Sequence, residues 1–510
     1  MSAPTICIIS GVILFLWSRW SSGRPKLPLP PGPPTLPIIG HMLSFPTSDQ
    51  GEFFAELAKT YGDIIHLRIP MRSFIVLNSV EAAVELLEKR SHNYSDRPPL
   101  PLMELMGFFP SLVLLPYGSR FRLHRRMIQQ YFKRQDVVNY RTLQTRATRI
   151  LLQNLVSTPE DRDSHLSQYA SSILMRITFG YDLTSGKDVY LDIVKSVNRW
   201  LDTPGLLTGT IVDFFPILQH LPSWFPGGYY PGIARRAKPE IQKMHDFPLA
   251  YVQEQMAKGQ AKPSFMAANL EALNNPSGVS SNTILDITGA VSQVYAGGAE
   301  TTWGTLSMFF MTMVLHPECQ AKAQQEIDTI VGSKRLPDFE DRESLPYVEC
   351  LIHETLRWTN VLPLGIPHRS LEDDIYNGMF IPKGSVVFAN TRGMSLNEKV
   401  YSDPHSFNPS RYLPKPVGNG EPYPVAHFGF GRRACPGRYF ADDSLYITIV
   451  SILATLHISK ALDEVGKEII PEVKFTAGIS KHPLPFKCKV EPRSEATRVL
   501  IERADTTDYF

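Results

Sequence analysis

The segment that most constrains the fold of this chain is a long apolar stretch near its middle. From about Asn282 to Leu315 the sequence carries few charged residues. Such a stretch is either a membrane-spanning helix or a long helix buried inside a protein. Because Gly297, Gly298 and Glu300 stand midway along it, and a lipid-facing helix does not readily carry a carboxylate, we expect a buried helix. A large protein body must then surround it.

The rest of the body shows mainly helical patterns with a few short strand-like runs. IIHLRI and FIVLN, near residues 64–78, are rich in the residue types that favour strands. The sequence has no internal repeat and no Pro/Gly/Ser linker long enough to divide the body. We therefore expect a mainly α fold with a small β-sheet region (α+β), forming one large domain over residues 46–510.

The N-terminus is predicted to lie outside this domain. Residues 5–17 read TICIISGVILFLW, and the first charged side chain after Met1 is Arg19. Residues 1–20 can just span a thin membrane, and the basic residues that follow should stay on the cytosolic side. A cleaved signal peptide is the alternative, although the segment lacks a basic start and a small-x-small cleavage site. We expect a transmembrane signal anchor with the large domain in the cytosol.

A Pro-rich hinge follows the predicted anchor over residues 21–45. Within it, residues 27–40 read LPLPPGPPTLPIIG. Closely spaced prolines fix φ and favour a stiff, extended chain. A plain spacer or a ligand for an SH3-type domain is the alternative. The position directly after an anchor favours a hinge that holds the domain at a set angle to the membrane.

Charge and cysteine content exclude two classes of protein. Lys and Arg number 52 against 50 Asp and Glu, so no charge excess points to nucleic acid. The five cysteines are scattered, odd in number and free of CxxC pairs. They predict reduced thiols in a cytosol-facing protein rather than a disulfide framework.

One cysteine stands in a loop of unusual composition. Residues 428–437 read FGFGRRACPG, directly before an apolar helical run. A cysteine that binds a metal must stay deprotonated, and turn glycines such as Gly431 and Gly437 let backbone N–H groups approach its sulfur. The following helix adds its positive end, Arg433 adds a cation, and Phe428 can shield the sulfur of Cys435 from water. The alternative is a Gly-rich turn with an incidental cysteine.

This FxxGxRxCxG loop closely resembles the haem-binding signature of the cytochrome P450 family. The resemblance extends from Pro30 over nearly all of the chain. It implies the cytochrome P450 fold, haem b as cofactor and Cys435 as the axial iron ligand. The sequences of segments such as FNPSRYLP are similar to those of fungal microsomal members that act in secondary metabolism. This similarity implies a monomeric, single-pass protein of the endoplasmic reticulum membrane.

Two further segments match a charged triad of that family. Glu354 and Arg357 stand at i and i+3, so they share one face of a helix and can pair. Alone, such a pair is usually a solvated salt bridge. The segment FNPSRY, residues 407–412, resembles the family's second arginine segment and contributes Arg411. The resemblance implies a buried structural triad of Glu354, Arg357 and Arg411, needed for haem incorporation.

The apolar middle segment matches the family's oxygen-activation pattern. Residues 297–302 read GGAETT. Glycines inside a helix cost roughly 1 kcal/mol each, so their presence needs a reason, and room for O2 and substrate is one. The resemblance implies that Thr301 hydrogen-bonds at the oxygen-binding position and that Glu300 resupplies protons from solvent. A helix-packing glycine pair is the alternative.

The two haem propionates need cationic or hydrogen-bonding partners. By resemblance, the candidates are Arg433, Arg125, His368 and Arg97. The family commonly has Trp where Phe121 stands here. We therefore expect apolar packing alone at that position, without an indole N–H bond to a propionate.

Electrons are expected to come from another protein. Six Lys and Arg residues and no acidic residue lie between positions 120 and 134, in a helical pattern. A solvated helix face is the simpler interpretation, but the family places this helix on the thiolate side of the haem. The chain lacks a convincing strand-GxGxxG-helix of its own. We expect an NADPH-dependent flavoprotein reductase to dock here.

The resemblance implies a monooxygenase that inserts one oxygen atom of O2 into a lipophilic small molecule, by hydroxylation or successive oxidations. Apolar stretches are expected to line the pocket: Leu100–Leu115, Tyr295 with Ala296, Val361–Ile366 and Phe475–Ile479. The same residues can also be plain core. The aromatic and Pro-rich stretch from Asp213 to Pro226 is a candidate membrane entrance. A fungal terpenoid or aromatic intermediate is the expected substrate.

Two other functions stay open on the sequence. The same haem-thiolate fold can act on a peroxide as an isomerase or dehydratase, without a reductase. It can also serve as a non-catalytic haem sensor. Glu300, Thr301 and the basic helix favour the monooxygenase.

Overall fold

A computed structural model describes residues 27–504 and 506, with gaps at 38, 45, 47–48, 70–71, 184–187, 202–205, 207–208, 275–282, 477 and 479. The predicted anchor and the first part of the predicted hinge lie outside the described residues. Every helix within the described ranges is too short or too polar to cross a membrane.

Helices make up most of the described chain. Those of eight or more residues are α1 Gln50–Tyr61, α2 Ser119–Phe132, α3 Arg141–Ser157, α4 Arg162–Phe179, α5 Val189–Leu201, α6 Tyr229–Ala257, α7 Phe265–Asn274, α8 Ile284–Leu315, α9 Pro317–Ile330, α10 Pro346–Trp358, α11 Arg438–Thr455 and α12 Glu495–Glu502. Shorter helical turns include Pro101–Met106 and Ile211–Phe214.

The strands form three small sheets. They are β1 Ile64–Ile69, β2 Arg72–Leu77, β3 His368–Arg369, β4 Asp374–Tyr376, β5 Met379–Ile381, β6 Val386–Ala389, β7 Leu456–Leu462, β8 Glu468–Ile469 and β9 Cys488–Pro492. The largest sheet has the order β1-β2-β6-β3, in which β2 and β6 are parallel. The predicted α+β class and the strands near residues 64–78 are confirmed.

Helix α8 passes through the interior of the protein. The Thr283 hydroxyl accepts a hydrogen bond from the Asp286 N–H and caps its first turn. The helix packs against α4, α6, α7 and α11. Its C-terminal half is buried without interruption from Gly304 to Val314. Neighbouring helices, rather than lipid, therefore cover this apolar segment, and the prediction of a buried helix is confirmed.

The described part of the predicted hinge lies on the domain. The Pro31 carbonyl accepts a hydrogen bond from the His66 N–H of β1, and the Pro28 carbonyl accepts one from Phe380 of β5. Further along, the His41 N–H donates to the carbonyl of Arg68 at 2.7 Å. Prolines leave their carbonyls available as acceptors, so this extended segment can bind two sheets without forming a strand of its own.

Candidate active site

The loop before α11 places Cys435 at the end of a tight turn. The Cys435 N–H donates to the Phe428 carbonyl at 2.8 Å and closes the loop. Gly429 and Gly431 have φ of +69° and +54°, which favour glycine. A Cβ on Gly431 would lie 2.2 Å from the Leu87 carbonyl oxygen. Gly431 therefore has a structural reason that the sequence did not suggest, which is close packing of the loop against the helical turn at Val84–Lys89. Its predicted role beside the sulfur stays a prediction.

Opposing effects act on the thiol of Cys435. Burial raises the pKa of Cys435 overall, although the Gly437 N–H and the positive charges of Arg125 and Arg438 act to lower it. These are the donors and cations that a metal-bound thiolate requires. Gly437 is also the residue before the first turn of α11, so the positive end of that helix faces the loop.

Three of the predicted propionate partners converge on one place. Arg97 donates to the carbonyls of Val113, Ile366 and Pro367. Arg433 donates from Nε to Ser95 at 2.7 Å and from its other nitrogens to the carbonyls of Leu112 and Leu115. His368 shares a 2.7 Å hydrogen bond with the Tyr94 carbonyl. The segments 94–97 and 112–115 thus hold all three side chains.

The same side chains are short of negative charge. Burial, and after it the neighbouring Arg433, hold the pKa of Arg97 well below its usual range. Burial and the Arg97 charge do the same to the pKa of His368. Burial lowers the pKa of Arg433 to about 10, although Asp96 opposes this shift. A cluster of buried basic side chains fits a group that carries carboxylates, as haem does, because nearby anions would offset the effects of burial and of the neighbouring positive charges.

Arg125 and Phe121 complete this cluster from α2. Arg125 donates to the Ala434 carbonyl at 2.6 Å, next to Cys435. The Phe121 ring lies beneath the Arg433 guanidinium, whose central carbon is 3.7 Å from the ring centroid. The expectation of apolar packing alone at position 121 is therefore wrong, because the aromatic face also holds the arginine by a cation–π contact.

The predicted triad is assembled at the C-terminal end of α10. Glu354 and Arg357 form a bidentate pair with distances of 2.7 and 2.8 Å, and Arg411 donates to Glu354 at 3.0 Å. Side-chain exposure is 0% for Glu354 and Arg357 and 1% for Arg411. The sequence interpretation as a buried network therefore agrees with the geometry, while its role in haem incorporation stays a prediction.

The network is larger than the sequence indicated. The Tyr412 hydroxyl donates to Glu354 at 2.8 Å, and Arg411 donates to Glu421 at 2.7 Å. Arg357 also donates to the carbonyls of Ser395 and Pro404. Tyr412 stands next to Arg411 and was within reach of sequence reasoning. Glu421 lies in an irregular segment, and no local pattern points to it.

Helix α8 is exposed in only part of its length. Gly297 is exposed and Thr301 is partly exposed, whereas the helix is buried from Asp286 to Ser292 and from Gly304 to Val314. The Thr301 hydroxyl donates to the Gly297 carbonyl at 2.7 Å. A Cβ on Gly298 would lie 2.7 Å from the Leu174 side chain of α4. The two glycines therefore differ in purpose, since one leaves an open surface and the other permits close helix packing.

The Glu300 carboxylate is held by neighbours that the sequence did not suggest. Asn198 of α5 donates to Glu300 at 2.7 Å, and the Ser480 hydroxyl donates at 3.2 Å. His482 Nδ1 lies 3.7 Å from the same carboxylate. These residues lie far apart along the chain and in unremarkable segments. Their convergence depends on the packing of α5 and of the turn after Phe475 against α8.

The predicted pocket lining divides between core and polar surface. Tyr295 has 0% exposure and its hydroxyl donates to Ser171, so the assignment of Tyr295 to the pocket is wrong and the alternative of plain core applies. Leu102 and Met106 are also fully buried. One turn before Gly297, Gln293 accepts a hydrogen bond from the Ser111 hydroxyl. This pair places amide and hydroxyl groups beside the open part of α8.

The predicted basic helix contributes to a broad cleft beside the cysteine loop. Arg122 and Arg126 of α2 are exposed, whereas Arg120 is paired with Asp286. The cleft has a volume of about 1530 Å³, and its lining includes Arg122, Arg126, Phe428 and Arg438. It also contains carboxylates, among them Glu349 and Asp442. The surface is therefore of mixed charge, with the arginines of α2 on its rim.

Comparisons with known proteins agree with this geometry. A family model described as cytochrome P450 matches residues 30–490. The cytochrome P450 monooxygenase COX2 of Coprinopsis cinerea is 40% identical over 492 residues, covering 92% of this chain and 90% of that protein. The cytochrome P450 monooxygenase claR of Ampulloclitocybe clavipes is 38% identical over 509 residues, covering 98% and 94%. The cytochrome P450 monooxygenase 136 of Postia placenta is 36% identical over 515 residues, covering 100% and 97%.

Proposed function

Because this chain belongs to the cytochrome P450 family and is a monooxygenase, we propose that it uses haem b, held by Cys435, to oxidise a lipophilic intermediate of fungal secondary metabolism. The observation that carries this proposal is the cysteine loop with its surrounding cations. Gly437, Arg125 and Arg438 favour the thiolate of Cys435. Bound haem supplies the activation of O2, and the thiolate is its electron-donating ligand.

The buried cations are proposed to bind the haem propionates. The positive charge of Arg433 lowers the pKa of Arg97, and both arginines lie beside His368. Two carboxylates placed among them would form charge-assisted hydrogen bonds. The Phe121 ring contacts the Arg433 guanidinium and helps to hold this arginine in place.

Thr301 and Glu300 are proposed to serve the oxygen-activation step. The open surface at Gly297 leaves room beside the Thr301 hydroxyl. Glu300 has 16% side-chain exposure and hydrogen-bond donors that are uncharged, which suits a group that must gain and lose a proton. Thr301 would position a proton donor at the reacting oxygen, and Glu300 would renew that proton.

The substrate is proposed to be a lipophilic molecule with an oxygen-bearing group, of the terpenoid or aromatic class. Apolar residues such as Leu364 and Val361 lie on the segment that precedes β3. The Ser111–Gln293 pair adds a polar position next to Gly297. The relatives named above are cytochrome P450 monooxygenases of fungi.

The mixed-charge cleft is proposed to receive an NADPH-dependent flavoprotein reductase. Exposed Arg122 and Arg126 would attract an acidic partner, and Phe428 at the cleft links that surface to the cysteine loop. Replacement of both arginines by Glu should raise the KM for the reductase and weaken its dependence on salt. Lys133→Glu, directly after the C-terminal end of α2 and outside the cleft, is the control. Equal effects in both variants would contradict this docking site.

The protein is proposed to lie on the endoplasmic reticulum membrane by a single N-terminal span, with its catalytic domain on the cytosolic face. Large apolar side chains are exposed around the Ile211–Phe214 turn, including Ile217 at 74% and Trp224 at 80%. Arg72, at the start of β2, donates to the Asp213 carbonyl at 2.6 Å, so this surface lies near the hinge contacts on β1. If Trp224→Ser with Phe225→Ser left vesicle binding of an anchor-deleted form unchanged, this membrane contact would be wrong.

The experiment that tests the proposed function is a reduced carbon monoxide difference spectrum of the wild type and Cys435→Ala. We expect the displaced Soret band of a thiolate-bound haem in the wild type alone. An unchanged band in Cys435→Ala would refute the ligand assignment. Addition of a reductase and NADPH to the wild type then tests electron transfer, since an isomerase, a dehydratase or a haem sensor would consume no NADPH.

A further inference from the structure

His482 lies beside Glu300, is partly exposed to solvent, and has no part in the site predicted from the sequence. Its Nδ1 is 3.7 Å from Glu300 Oε1, and the two side chains are 15% and 16% exposed. The same ring nitrogen is 3.5 Å from the Thr476 hydroxyl. A separation of this size is closed by one bridging water or by a small rotation of the imidazole. His482 can therefore exchange a proton with Glu300.

The imidazole ring is held by an aromatic neighbour. It packs against Trp303 at a centroid distance of 4.4 Å. The Trp303 indole N–H donates at 3.1 Å to Asp163, which is exposed. These contacts hold the partly exposed His482 ring beside the Glu300 carboxylate. A histidine is suited to this place because its ordinary pKa lies close to neutral pH.

The turn that carries His482 is tied down independently of Glu300. The Thr476 N–H donates to the His482 carbonyl at 3.0 Å, and the Lys481 N–H donates to Val361 at 2.8 Å. The Lys481 ammonium pairs with Asp49 at 2.5 Å. The position of the ring is thus fixed by backbone contacts, and a change of the His482 side chain leaves the turn its own supports.

We propose that His482 passes protons from solvent to Glu300 and so belongs to the proton-supply path of the monooxygenase. This inference rests on the proposed function, in which Glu300 delivers protons for oxygen activation. Asn198 and Ser480 are positioning residues in this scheme, because they orient the carboxylate between His482 and the open part of α8. Among the described residues, the neighbouring Lys481 is paired with Asp49, and Asp163 is bonded to the Trp303 ring that packs on the imidazole.

The inference is testable without knowledge of the substrate. In the absence of substrate, the enzyme supplied with reductase and NADPH can reduce O2 by two reactions. The first reaction consumes a single NADPH: O2 + NADPH + H⁺ gives H2O2 + NADP⁺, and the O–O bond stays intact. The other consumes two: O2 + 2 NADPH + 2 H⁺ gives 2 H2O + 2 NADP⁺, and the O–O bond breaks. Slow proton supply from the Glu300 side favours peroxide.

The test compares two variants of His482 in the reductase-coupled holoenzyme. His482→Phe keeps an aromatic ring against Trp303, and His482→Gln keeps a hydrogen-bonding group, but neither exchanges protons near neutral pH. We expect the H2O2 formed per NADPH to rise about threefold or more in both. Lys481→Gln, the neighbouring residue whose ion pair points to Asp49, is the matched control and should leave the ratio unchanged.

A second measurement needs no turnover. In the diamagnetic ferrous carbon monoxide complex, histidine-labelled protein gives an NMR titration of His482, assigned by its loss in His482→Gln. The Glu300 carboxylate favours the imidazolium, so Glu300→Gln should lower the pKa of His482 by about one unit. An unchanged pKa would overturn the inference.

The outcomes also separate this inference from the function on which it rests. If Glu300→Gln raises the peroxide ratio and the His482 variants do not, the proposed function stands and the role of His482 is wrong. If Glu300→Gln leaves the ratio unchanged, Glu300 does not supply protons and both assignments fail.

Discussion

Glu354 and Glu300 are both glutamates inside the helical body, but their surroundings differ in kind. Glu354 has 0% exposure and receives hydrogen bonds from two arginines and a tyrosine. Glu300 has 16% exposure and is held by an amide and a hydroxyl, with a histidine beside it. The donors to Glu354 include permanent cations. The donors to Glu300 among the described residues are neutral, and its side chain is also in contact with solvent.

This difference distinguishes a carboxylate that stabilises the fold from one proposed to take part in catalysis. Removal of the Glu354 charge would leave the buried guanidinium of Arg357 with carbonyl acceptors alone and Arg411 with Glu421 as its remaining carboxylate. At Glu300, the described donors Asn198 and Ser480 are neutral and can donate equally well to an amide oxygen. The two sites should therefore respond in opposite ways to the same Glu→Gln substitution.

The largest effect is expected for Glu354→Gln. Loss of the buried charge should destabilise the protein by about 3 to 5 kcal/mol and prevent stable haem incorporation. Haem content per polypeptide and the reduced carbon monoxide spectrum measure this. Exposed Glu56, which pairs with Lys59 at the surface, offers a control in Glu56→Gln, with a cost below about 1 kcal/mol. Normal haem content in Glu354→Gln would remove the distinction between the two carboxylates.

The matching substitution Glu300→Gln should leave folding intact and reduce catalysis. We expect normal haem content, a change in unfolding free energy within about 1 kcal/mol, and a loss of coupled substrate oxidation of about 100-fold. Metabolite profiling would first identify the substrate, and product formed per NADPH then gives the loss. A large fall in thermal stability would instead make Glu300 a structural residue like Glu354.

The smallest effect is expected for a third carboxylate, Glu349. Like Glu354 it pairs with an arginine, but like Glu300 its side chain is partly exposed. Burial tends to raise its pKa, but His353 and Arg342 outweigh burial and hold the pKa at about 2. Because this folded-state pKa is below that of the unfolded chain, Glu349 adds stability above about pH 4.5 and loses it as pH falls towards 2. Glu349→Gln should cost on the order of 1 kcal/mol near neutral pH.

Urea unfolding of the wild type and Glu349→Gln across this pH range provides the measurement. The difference in unfolding free energy between the two proteins should shrink as the solution becomes more acidic. A difference that grows in acid would contradict the assigned direction of the pKa shift.

Features that depend on one continuous segment could be predicted from the sequence. The buried course of α8 followed from its composition, and the short strands β1 and β2 followed from their residue types. The pairing of Glu354 with Arg357 followed from their spacing on one helix. In each case neighbouring residues along the chain already contain the physical constraint.

Features made by distant segments could not be predicted. Glu300 meets Asn198 and His482 because three elements pack together, and no spacing along the chain expresses that packing. The assignment of Tyr295 to the pocket failed for a related reason. Apolar and aromatic residues on a buried helix face either a cavity or the core, and only the positions of α4 and α5 decide which.

The approach of Gly431 to the Leu87 carbonyl also has a consequence for protein engineering. A methyl group at position 431 would meet that oxygen at 2.2 Å, in a backbone conformation that side chains disfavour. The cysteine loop therefore cannot be moved into another protein by itself. Grafting it into another scaffold would also require the turn at Val84–Lys89 that receives it, and directed evolution of this enzyme should find the pair changing together or not at all.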